Sequence, residues 1–386
     1  MNSKDIREKF LSYFEGKGHR RMRSHPLIPP DDPTLLFVNA GMVQFKDVFT
    51  GSRDIGTKRA ATSQKCLRVS GKHNDLEQVG RTSRHHTFFE MLGNFSFGDY
   101  FKREAIEFAW ELMTVHYGIN PDLLWVTVHP DDAEASGIWR DAIGVREGRI
   151  YSDPSNFWAM GETGPCGPCS EIHIDRGNSF PGKSIAEPGE RFVELWNLVF
   201  MQFERSGSGE LRPLPAPSID TGMGLERLAS VLQGKRSNYE TDLFMPLIDL
   251  ISGMSGRKFG SNEEDDTAMR VISDHARATA FLMADSIFPE NEGRGYVLRR
   301  LMRRAIRFGR KLELEAGFFK NVCGRVVEEF SGVYNELGKA GGVIGEMVSQ
   351  EEERFSKTLS EGMRMLKDEI GELKKFNRNV ISGRVG

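Results

Sequence analysis

The sequence predicts an α+β protein, in which an antiparallel sheet flanked by helices is followed by an α-helical part. Between residue 26 and about residue 234, short apolar or alternating runs are bounded by Gly, Pro, Asn and Asp, as in strands. After that point, apolar residues recur at spacings of three and four, which is typical of helices. We therefore expect a sheet domain over residues 1–234 and a helical domain over residues 235–386.

Each predicted element follows from its apolar pattern and its flanking residues. Ser3 is placed to cap a first helix, which turns Ile6, Phe10 and Phe14 to one side and ends near Gly16. Strands are expected at 35–38, 124–128, 171–174 and 192–203, with one helix among them at 103–116. The Gly- and Pro-rich stretch 206–217 is expected to be a hairpin connection. Long helices are expected at 268–287, 296–314 and 345–375.

Composition excludes several classes of protein. The 386 residues include 52 Lys and Arg against 55 Asp and Glu, so the net charge of -3 argues against a surface that is basic throughout. Four cysteines are too few to hold together a secreted chain of this length. No stretch reaches the roughly 18 apolar residues of a membrane helix. We expect a cytoplasmic protein that has no membrane partner.

The densest group of polar side chains lies at residues 59–92, where two strands joined by a polar loop are expected. Strand alternation would bring Arg68 over a surface shared with His85, Thr87 and Phe89 of the returning strand. Arginine suits bidentate contact with phosphate, and an aromatic ring offers a face to a purine. The group outlines a nucleotide pocket, although solvated sheet faces also carry such residues.

A second group follows the turn-rich stretch and consists of Asp220, Gly222-x-Gly224 and Arg227. The two glycines alone often mark only a tight turn from strand to helix, because glycine tolerates close packing and positive φ. Arg227 at the start of the helix favours a ligand site, since a guanidinium there can stack on a base. The pattern alone leaves both interpretations open.

These two groups resemble motifs 2 and 3 of the class II aminoacyl-tRNA synthetases. Arg68 matches the motif 2 arginine, and His85-x-x-x-Phe89 matches its returning strand. Gly222-x-Gly224-Leu-Glu-Arg227 matches motif 3. Three longer stretches, 32–42, 84–99 and 161–171, are similar to alanine-specific members of the family. The resemblance runs along nearly the whole chain, with the motifs in family order.

The resemblance implies that the ligands of the first domain are ATP with Mg²⁺ and L-alanine. Arg68 would hold the α-phosphate, and Phe89 and Arg227 would sandwich the adenine ring. His85 would approach the phosphates, and Gly224 would line the nucleotide site. The protein would act mainly by positioning the reactants and neutralising negative charge, without a covalent nucleophile.

The resemblance also implies an alanine pocket. Asp220 would pair with the α-ammonium group, while Trp158 and Val199 would limit the room for the amino-acid side chain. The other residues of this pocket would be Asn197 and Gly222. Ordinary core packing is the alternative role for Trp158 and Val199. The residues expected to take part in catalysis are Arg68, Arg227 and Asp220.

Cys166-Gly-Pro-Cys169, with His173 close behind, raises the possibility of zinc binding or redox chemistry. A tetrahedral zinc site needs four ligands, and no further histidine occurs until His275. We expect no structural zinc and favour a rigid turn beside the alanine pocket. A local metal site and a redox pair stay open as alternatives.

The helix expected at 296–314 lies in a stretch with a strong local excess of positive charge. No acid occurs between residues 293 and 312, a stretch that contains eight cations: Arg294, Arg299, Arg300, Arg303, Arg304, Arg307, Arg310 and Lys311. Such a run is often a solvated face, yet its members repel one another unless an anion neutralises them. A nucleic-acid backbone is the natural partner.

By the resemblance, this helical part binds the acceptor stem of tRNA(Ala). Asn291 would read a G·U wobble pair in the shallow minor groove, and Arg299, Arg303 and Arg304 would be further tRNA contacts. Members of the family continue past the point corresponding to residue 386 into more tRNA-recognition sequence, an editing domain and an oligomerisation domain. We therefore expect a monomer that lacks editing.

The expected function is activation of L-alanine with ATP to alanyl-adenylate, followed by transfer of alanine to the 3′ end of tRNA(Ala). This would make the chain an ATP-dependent, AMP-forming ligase of protein biosynthesis. Two alternatives stay open. One is a paralogue that forms an aminoacyl-adenylate without charging tRNA, and the other is a catalytically inactive RNA-binding module.

Overall fold

The computed structural model describes residues 1–29, 35–70 and 73–375. Residues 32–34 of the stretch 32–42 and residues 376–386 of the expected helical domain therefore lie outside the described residues. The chain divides into two compact units, Met1–Leu76 with Thr82–Leu243 and Glu77–Arg81 with Phe244–Gly386. The sequence pattern placed a boundary after residue 234. None of the helices described is long and apolar enough to cross a membrane.

The first unit is built on a sheet. Its strands are β1 Arg20–Arg21, β2 Arg59–Leu67, β3 Val69–Ser70, β4 His73–Asn74, β5 Phe88–Ser96, β6 Leu124–Val128, β7 Ile150–Ser152, β8 Phe157–Ala159, β9 Gly164–Asp175, β10 Phe192–Arg205 and β11 Leu211–Gly224. Its helices are α1 Ser3–Gly16, α2 Lys46–Phe49, α3 Lys102–Glu111, α4 Ala133–Gly137 and α5 Leu225–Leu232. Helix α3 continues as a wider π-helical turn over Leu112–His116.

Nine strands form one sheet in the order β1-β2-β5-β11-β10-β9-β6-β7, with β8 paired to β9. All pairs from β2 across to β6 are antiparallel, whereas the outer pairs β1–β2 and β6–β7 are parallel. The α+β class predicted from the sequence is confirmed, with the correction that the sheet is mixed at its two edges. Strands β3 and β4 pair separately as a two-stranded ribbon.

Helix α1 lies against this sheet through its apolar face. Ile6, Phe10 and Phe14 are fully buried, as the spacing predicts. The predicted cap was wrong by one residue, because the Asn2 side chain accepts the first-turn N–H of Asp5 at 2.8 Å. Arg7 donates two hydrogen bonds of 2.7 Å to the buried Glu90 carboxylate, which ties α1 to β5.

Two local predictions were wrong. Residues 35–38 are not a strand, because the chain bends there and Val38 exchanges single hydrogen bonds with Leu27 and Leu67. Cys166-Gly-Pro-Cys169 is not a turn but the interior of β9, between β8 and β10. A Cβ at Gly167 would lie 1.9 Å from the Phe200 carbonyl oxygen, so the close approach of β10 explains this glycine.

The second unit is helical, as the sequence predicts for this part of the chain. Its helices are α6 Met245–Ser255, α7 Glu263–Ala284, α8 Gly293–Lys311, α9 Phe318–Phe330 and α10 Asn335–Lys375. Helix α7 is the central element and contacts α6, α8, α9 and α10. It begins at Glu263 and is capped by Asn262, whose side chain accepts the N–H of Glu264 at 2.8 Å.

Candidate active site

Strand register gathers several of the predicted site residues of the first unit on one face of the sheet. Asp220 lies opposite Val199, and Gly222 lies opposite Asn197. Residues that face each other across antiparallel strands share a face, and so do residues two apart along a strand. The pairing of Gly224 with Met91 of β5 extends this face, and Phe89 follows two residues before Met91.

A cavity opens on this face. It is lined by Arg68, Asp75, Arg84, His85, His86, Phe89, Met91, Glu194, Gly222, Gly224, Glu226, Arg227 and Asn238. The nucleotide-site residues expected from the sequence all appear in this lining. A second cavity also has Arg68 in its wall, together with Trp158, Asn39 and Met42. Arg68 is therefore common to both cavities.

Arg68 follows β2 directly and is held by neighbours on two sides. Its Nε donates to the Asn39 carbonyl at 3.2 Å. Its guanidinium lies over the Phe89 ring, 4.9 Å from the ring centre, in a cation–π contact. The ring expected to stack on adenine thus has a planar cation as its neighbour in this structure.

Arg227 and Glu194 form an ion pair at the cavity wall. The Arg227 Nη1 donates to a Glu194 carboxylate oxygen at 2.9 Å and to the Glu194 carbonyl at 3.1 Å. Burial raises the pKa of Glu194, but the nearby charges of Arg227, His173 and Arg68 outweigh it and hold the pKa below its usual value. Glu194 therefore keeps its negative charge and fixes the guanidinium at the start of α5.

His85 lies before β5, not in it, so its expected place in the returning strand was wrong. The strand begins at Phe88, and the turn before it lets the Thr82 hydroxyl approach the His85 Nδ1 to 2.8 Å. Burial is the main cause that lowers the pKa of His85. A neutral imidazole therefore stands at the cavity near neutral pH.

Asp220 is a buried carboxylate on the sheet face and is 7% exposed. Burial raises its pKa to about 7, because desolvation disfavours the charged form. None of the residues that the structure describes offers the side chain a hydrogen bond or a countercharge. A buried carboxylate without a countercharge is stabilised when a cation binds next to it.

Asn197 supplies a second acceptor on the same face. Its Nδ2 donates to a Glu171 carboxylate oxygen at 3.1 Å. Its Oδ1 is buried, and no donor in the described part of the chain reaches it. Neither Asn197 nor Asp220 belongs to the lining of the two cavities, but both lie on the sheet face that bears the first one. Buried polar atoms are usually hydrogen-bonded, so an orphaned acceptor on this face points to a ligand that donates.

Apolar residues surround these acceptors. Val199 belongs to a buried cluster with Met42 and Cys169, and Trp158 packs against that cluster. Trp158 also lines the second cavity, so core packing and ligand contact are both available to it. A Cβ at Gly222 would lie 2.8 Å from the Met91 sulfur, so a side chain there would require Met91 to shift.

Comparison with known proteins gives the family. The family described as tRNA synthetases class II (A) matches residues 5–385. The chain belongs to the class II tRNA synthetases. It is similar to Alanine–tRNA ligase of Acidithiobacillus ferridurans, with 54% identity over 378 residues that cover 97% of this chain and 43% of that protein. The Lawsonia intracellularis Alanine–tRNA ligase is 53% identical over 99% of this chain and 44% of its own length.

The chain thus spans less than half the length of the curated relatives it matches. A third relative, the Alanine–tRNA ligase of Desulfosudis oleivorans, is 53% identical over 100% of this chain and 45% of its own length. Among solved structures, apo S. aureus histidyl-tRNA synthetase aligns with 60% of this chain and 66% of its own, at 11% identity and a TM-score of 0.38.

The second unit of this class II synthetase carries the remaining predicted site residues on and before α8. Arg299 binds the Asn291 side chain and donates to the Pro289 carbonyl at 2.9 Å. Arg303 donates to the buried Glu351 carboxylate at 2.9 Å. Arg304 Nη1 lies 3.2 Å from the His275 Nε2.

These contacts correct one premise of the sequence argument. Three cations of α8 do have carboxylate partners within the chain, but these acids come from elements distant in sequence. Glu351 lies near Arg299 and Arg303, and Glu77 lies 3.7 Å from Arg300. Within the described ranges, no carboxylate pairs with the exposed cations Arg307, Arg310 and Lys311. The excess positive charge is therefore smaller than the sequence suggests and is concentrated toward the C-terminal end of α8.

The sequence interpretation missed several residues of the class II synthetase cavity. Glu194, Arg84 and Asp75 line it although none was a candidate. A signal existed for Glu194, because an acid inside the apolar strand 192–203 is unusual unless it has a partner. Asp75 and Arg84 gave no comparable signal, since charged residues in a polar loop are ordinary.

Within the described residues, the two cysteines of β9 have no set of metal ligands around them. Cys166 and Cys169 are unpaired thiols, and burial raises the pKa of each. Over the described residues, no group of three or more His, Cys, Asp or Glu side chains is arranged to hold a metal ion. The expectation of no structural zinc stays a prediction, because part of the chain lies outside that search.

Proposed function

We propose that the chain activates L-alanine with ATP to form alanyl-adenylate and transfers the alanine to the 3′ end of tRNA(Ala). The observation that carries this proposal is the pair of buried acceptors, the Asp220 carboxylate and the Asn197 Oδ1, on the sheet face that also bears the arginine-lined cavity. An α-ammonium group is a small cation with three donors and suits both acceptors. The curated relatives named Alanine–tRNA ligase support the choice of amino acid.

The cavity suits ATP because its polar wall is rich in guanidinium groups. Arg68, Arg84 and Arg227 line it together. Guanidinium groups bind phosphate oxygens through charge-assisted, bidentate hydrogen bonds. We assign the α-phosphate to Arg68 and the adenine ring to the space between Phe89 and Arg227. Adenine binding at Phe89 would require the Arg68 guanidinium to exchange its cation–π contact for the phosphate.

Family membership implies that ATP arrives with Mg²⁺, and the cavity lining fits such an ion. Mg²⁺ commonly takes one or two carboxylates together with phosphate oxygens and water. Asp75 and Glu194 are carboxylates of the lining that would hold it, and Glu194 would then have to exchange its ion pair with Arg227 for the metal ion. When bound, the ion supplies neutralisation of phosphate charge.

The proposed reaction has two displacements. In the first, an alanine carboxylate oxygen bonds to the α-phosphorus and the bond to pyrophosphate breaks. Asp220 would fix the alanine by its ammonium group, while Arg68 would fix the α-phosphate, so that the two reacting atoms meet in line. In the second, a ribose hydroxyl at the tRNA 3′ end bonds to the alanyl carbonyl carbon, the bond from that carbon to the phosphate oxygen breaks, and AMP and the hydroxyl proton leave.

The apolar residues near Asp220 and Asn197 support a small amino acid as the substrate. Trp158 and Val199 lie in and against the buried cluster beside the acceptors, and we assign them the role of limiting side-chain room. A longer side chain would have to displace close-packed groups, which is costly in a protein interior. Glycine is excluded less strongly, because one missing methyl group lowers binding only modestly.

For tRNA we propose the second unit, with α8 as the acceptor-stem surface. Exposed Arg307, Arg310 and Lys311 would contact phosphates, together with Arg303 and Arg304. Asn291 would read the G·U pair, with its side chain oriented by Arg299. We propose the cytoplasm as the compartment, in keeping with four buried thiols that form no disulfide.

The test has two stages on the same preparation. Alanine-dependent exchange of radioactive pyrophosphate into ATP measures adenylate formation, and incorporation of labelled alanine into tRNA(Ala) measures charging. We expect both, with charging reduced when the G·U pair is replaced by G·C. Exchange without charging would favour a paralogue that makes only the adenylate. RNA binding without exchange would favour an inactive RNA-binding module.

A further inference from the structure

A buried Asp–His pair lies beneath the arginine helix in the second unit. Asp274 and His275 on α7 are both 0% exposed. The His275 Nδ1 lies 3.0 Å from an Asp274 carboxylate oxygen, and the His275 Nε2 lies 3.2 Å from the Arg304 Nη1. The imidazole therefore bridges a carboxylate in the core to an arginine of α8.

The geometry fixes the proton on the imidazole. A guanidinium can only donate hydrogen bonds, so the His275 Nε2 must be the acceptor of the Arg304 contact. The proton then sits on Nδ1 and is donated to Asp274. Burial lowers the pKa of His275 against the opposing influence of Asp274, which agrees with a neutral ring.

Arg304 occupies the transition between the interior and the surface of the unit. Its side chain is half-buried, and the charged groups that face it are Glu77, Asp274, Arg81 and Arg307. Arg307, one turn further along α8, is exposed, and its guanidinium lies 5.9 Å from the centre of the Phe308 ring. Arg304 is therefore held by a buried partner, whereas Arg307 is exposed.

Burying the Asp274–His275 pair costs folding free energy. Burying a carboxylate and an imidazole removes both from water, and replacing a buried polar network by apolar residues is often neutral or stabilising. Core stability is thus a weak explanation for the Asp274–His275 pair. What the pair visibly does is hold one arginine of a helix whose exposed end is basic. A guanidinium that is already oriented loses less side-chain freedom when it binds.

We propose that His275, itself oriented by Asp274, is a positioning residue that holds the Arg304 guanidinium in place for an RNA phosphate. This role rests on the proposed function, since it requires that the second unit bind tRNA. His275 touches no RNA in this account and acts only through Arg304. Its loss should therefore reproduce the loss of Arg304.

The experiment is a double-mutant cycle on the full chain. The variants are His275→Leu, Arg304→Ala and the pair together, and the readout is the Kd for tRNA(Ala) at several salt concentrations. We expect His275→Leu to weaken binding about threefold to tenfold, the effect of losing one preorganised contact. The slope of log affinity against log salt should become shallower by about one in each single variant, as for one phosphate contact. The double variant should be no weaker than Arg304→Ala.

Two conservative variants separate positioning from simple structural damage. His275→Gln keeps an acceptor near the position of Nε2 and should retain affinity within about twofold of the parent. His275→Asn keeps a donor for Asp274 but no acceptor within reach of Arg304, so it should behave like His275→Leu. Ser273→Ala, a buried change on the same helix, is the matched control and should leave the salt slope unchanged.

Several results would overturn the role of His275. These are full affinity in His275→Leu, additive losses in the double variant, a salt slope that does not change, or His275→Gln binding as weakly as His275→Leu. Unchanged binding in Arg304→Ala would also overturn it, while leaving the proposed function intact. A parent chain that neither binds nor charges tRNA(Ala) would contradict the proposed function, and this role with it. If His275→Leu does not fold, His275→Asn carries the same expectations.

Discussion

Asp220→Asn is the most informative single change, because it should make the protein less active and more stable. The parent carboxylate is 7% exposed and has no countercharge in the described part of the chain. Asparagine has nearly the same shape and removes the charge. Loss of the charge that would pair with a buried ammonium group should lower kcat/KM for alanine about a hundredfold or more.

The gain in stability depends on pH in a direction that the pKa fixes. Burial raises the pKa of Asp220 from 3.8 to about 7, so the folded protein holds this proton more tightly than the unfolded chain. The stability that the protonated Asp220 contributes is therefore fully present below pH 3.8, and it is lost as the pH rises through about 7. A rise of this size in the pKa corresponds to about 4 kcal/mol, and we expect Asp220→Asn to recover roughly half of that or more at pH 8.

Tryptophan fluorescence is the suitable probe of unfolding. All five tryptophans, Trp110, Trp125, Trp139, Trp158 and Trp196, lie in the first unit, which also contains Asp220. Urea unfolding followed by this signal therefore reports the unit of interest. The parent and Asp220→Asn should differ most at pH 8 and converge toward pH 4. Alanine should also bind the parent more tightly at pH 8 than at pH 6.

Asp131→Asn is the matched control, since it makes the same chemical change at a side chain that is 93% exposed. It should alter neither stability nor exchange. If Asp220→Asn were destabilising at pH 8, some cation or hydrogen-bond donor must already stabilise the charged Asp220 carboxylate, and our reasoning would be wrong. If exchange stayed within threefold of the parent, Asp220 would not be the ammonium ligand.

Further predictions address the phosphate contact, the RNA surface and the amino-acid pocket. Arg68→Ala should lower alanine-dependent exchange about a hundredfold, while the free energy of unfolding measured by fluorescence changes by less than about 1 kcal/mol. Exchange within threefold of the parent would refute the assignment of Arg68 to the α-phosphate. Asn291→Ala should reduce charging of tRNA(Ala) with the G·U pair far more than exchange; equal losses would move Asn291 to the catalytic cavity. Changing Arg303 and Arg304 together to Ala should weaken RNA binding and flatten its salt dependence, and an unchanged slope would show that neither contacts phosphate. Glycine should be activated roughly 10- to 200-fold less efficiently than alanine, and discrimination above a thousandfold would mean that the pocket reads the methyl group by more than packing.

Much of the first unit could be predicted because its signals are local. Apolar alternation at 124–128 and 192–203 identifies β6 and most of β10, and the Gly- and Pro-rich stretch 206–217 includes the turn of the β10–β11 hairpin. Motif residues such as Arg68 and Gly222 could be placed at one site because their spacing is characteristic. Local pattern cannot supply strand register, and register is what brings Asp220 opposite Val199.

The failures have a common physical cause, which is contact between residues distant in sequence. Cys166-Gly-Pro-Cys169 has turn-forming residues, yet β8 and β10 pair with it on both sides and extend it as a strand. The cations of α8 lack acids nearby in sequence, yet Glu351 of α10 approaches Arg299 and Arg303. In β9, pairing with neighbouring strands outweighs the local turn propensity. In α8, acids from a distant helix neutralise cations that local charge balance leaves unpaired.

Exchange of pyrophosphate into ATP with each of the twenty amino acids in turn is the decisive assay for alanine activation by this chain. It needs no tRNA and so isolates the cavity and the buried acceptors of the first unit. We predict the highest kcat/KM with alanine, slower exchange with glycine and serine, and background rates with large or charged amino acids. Exchange with none of them, or a higher kcat/KM with an amino acid other than alanine, would contradict the assignment of Asp220, Asn197, Trp158 and Val199 to an alanine pocket.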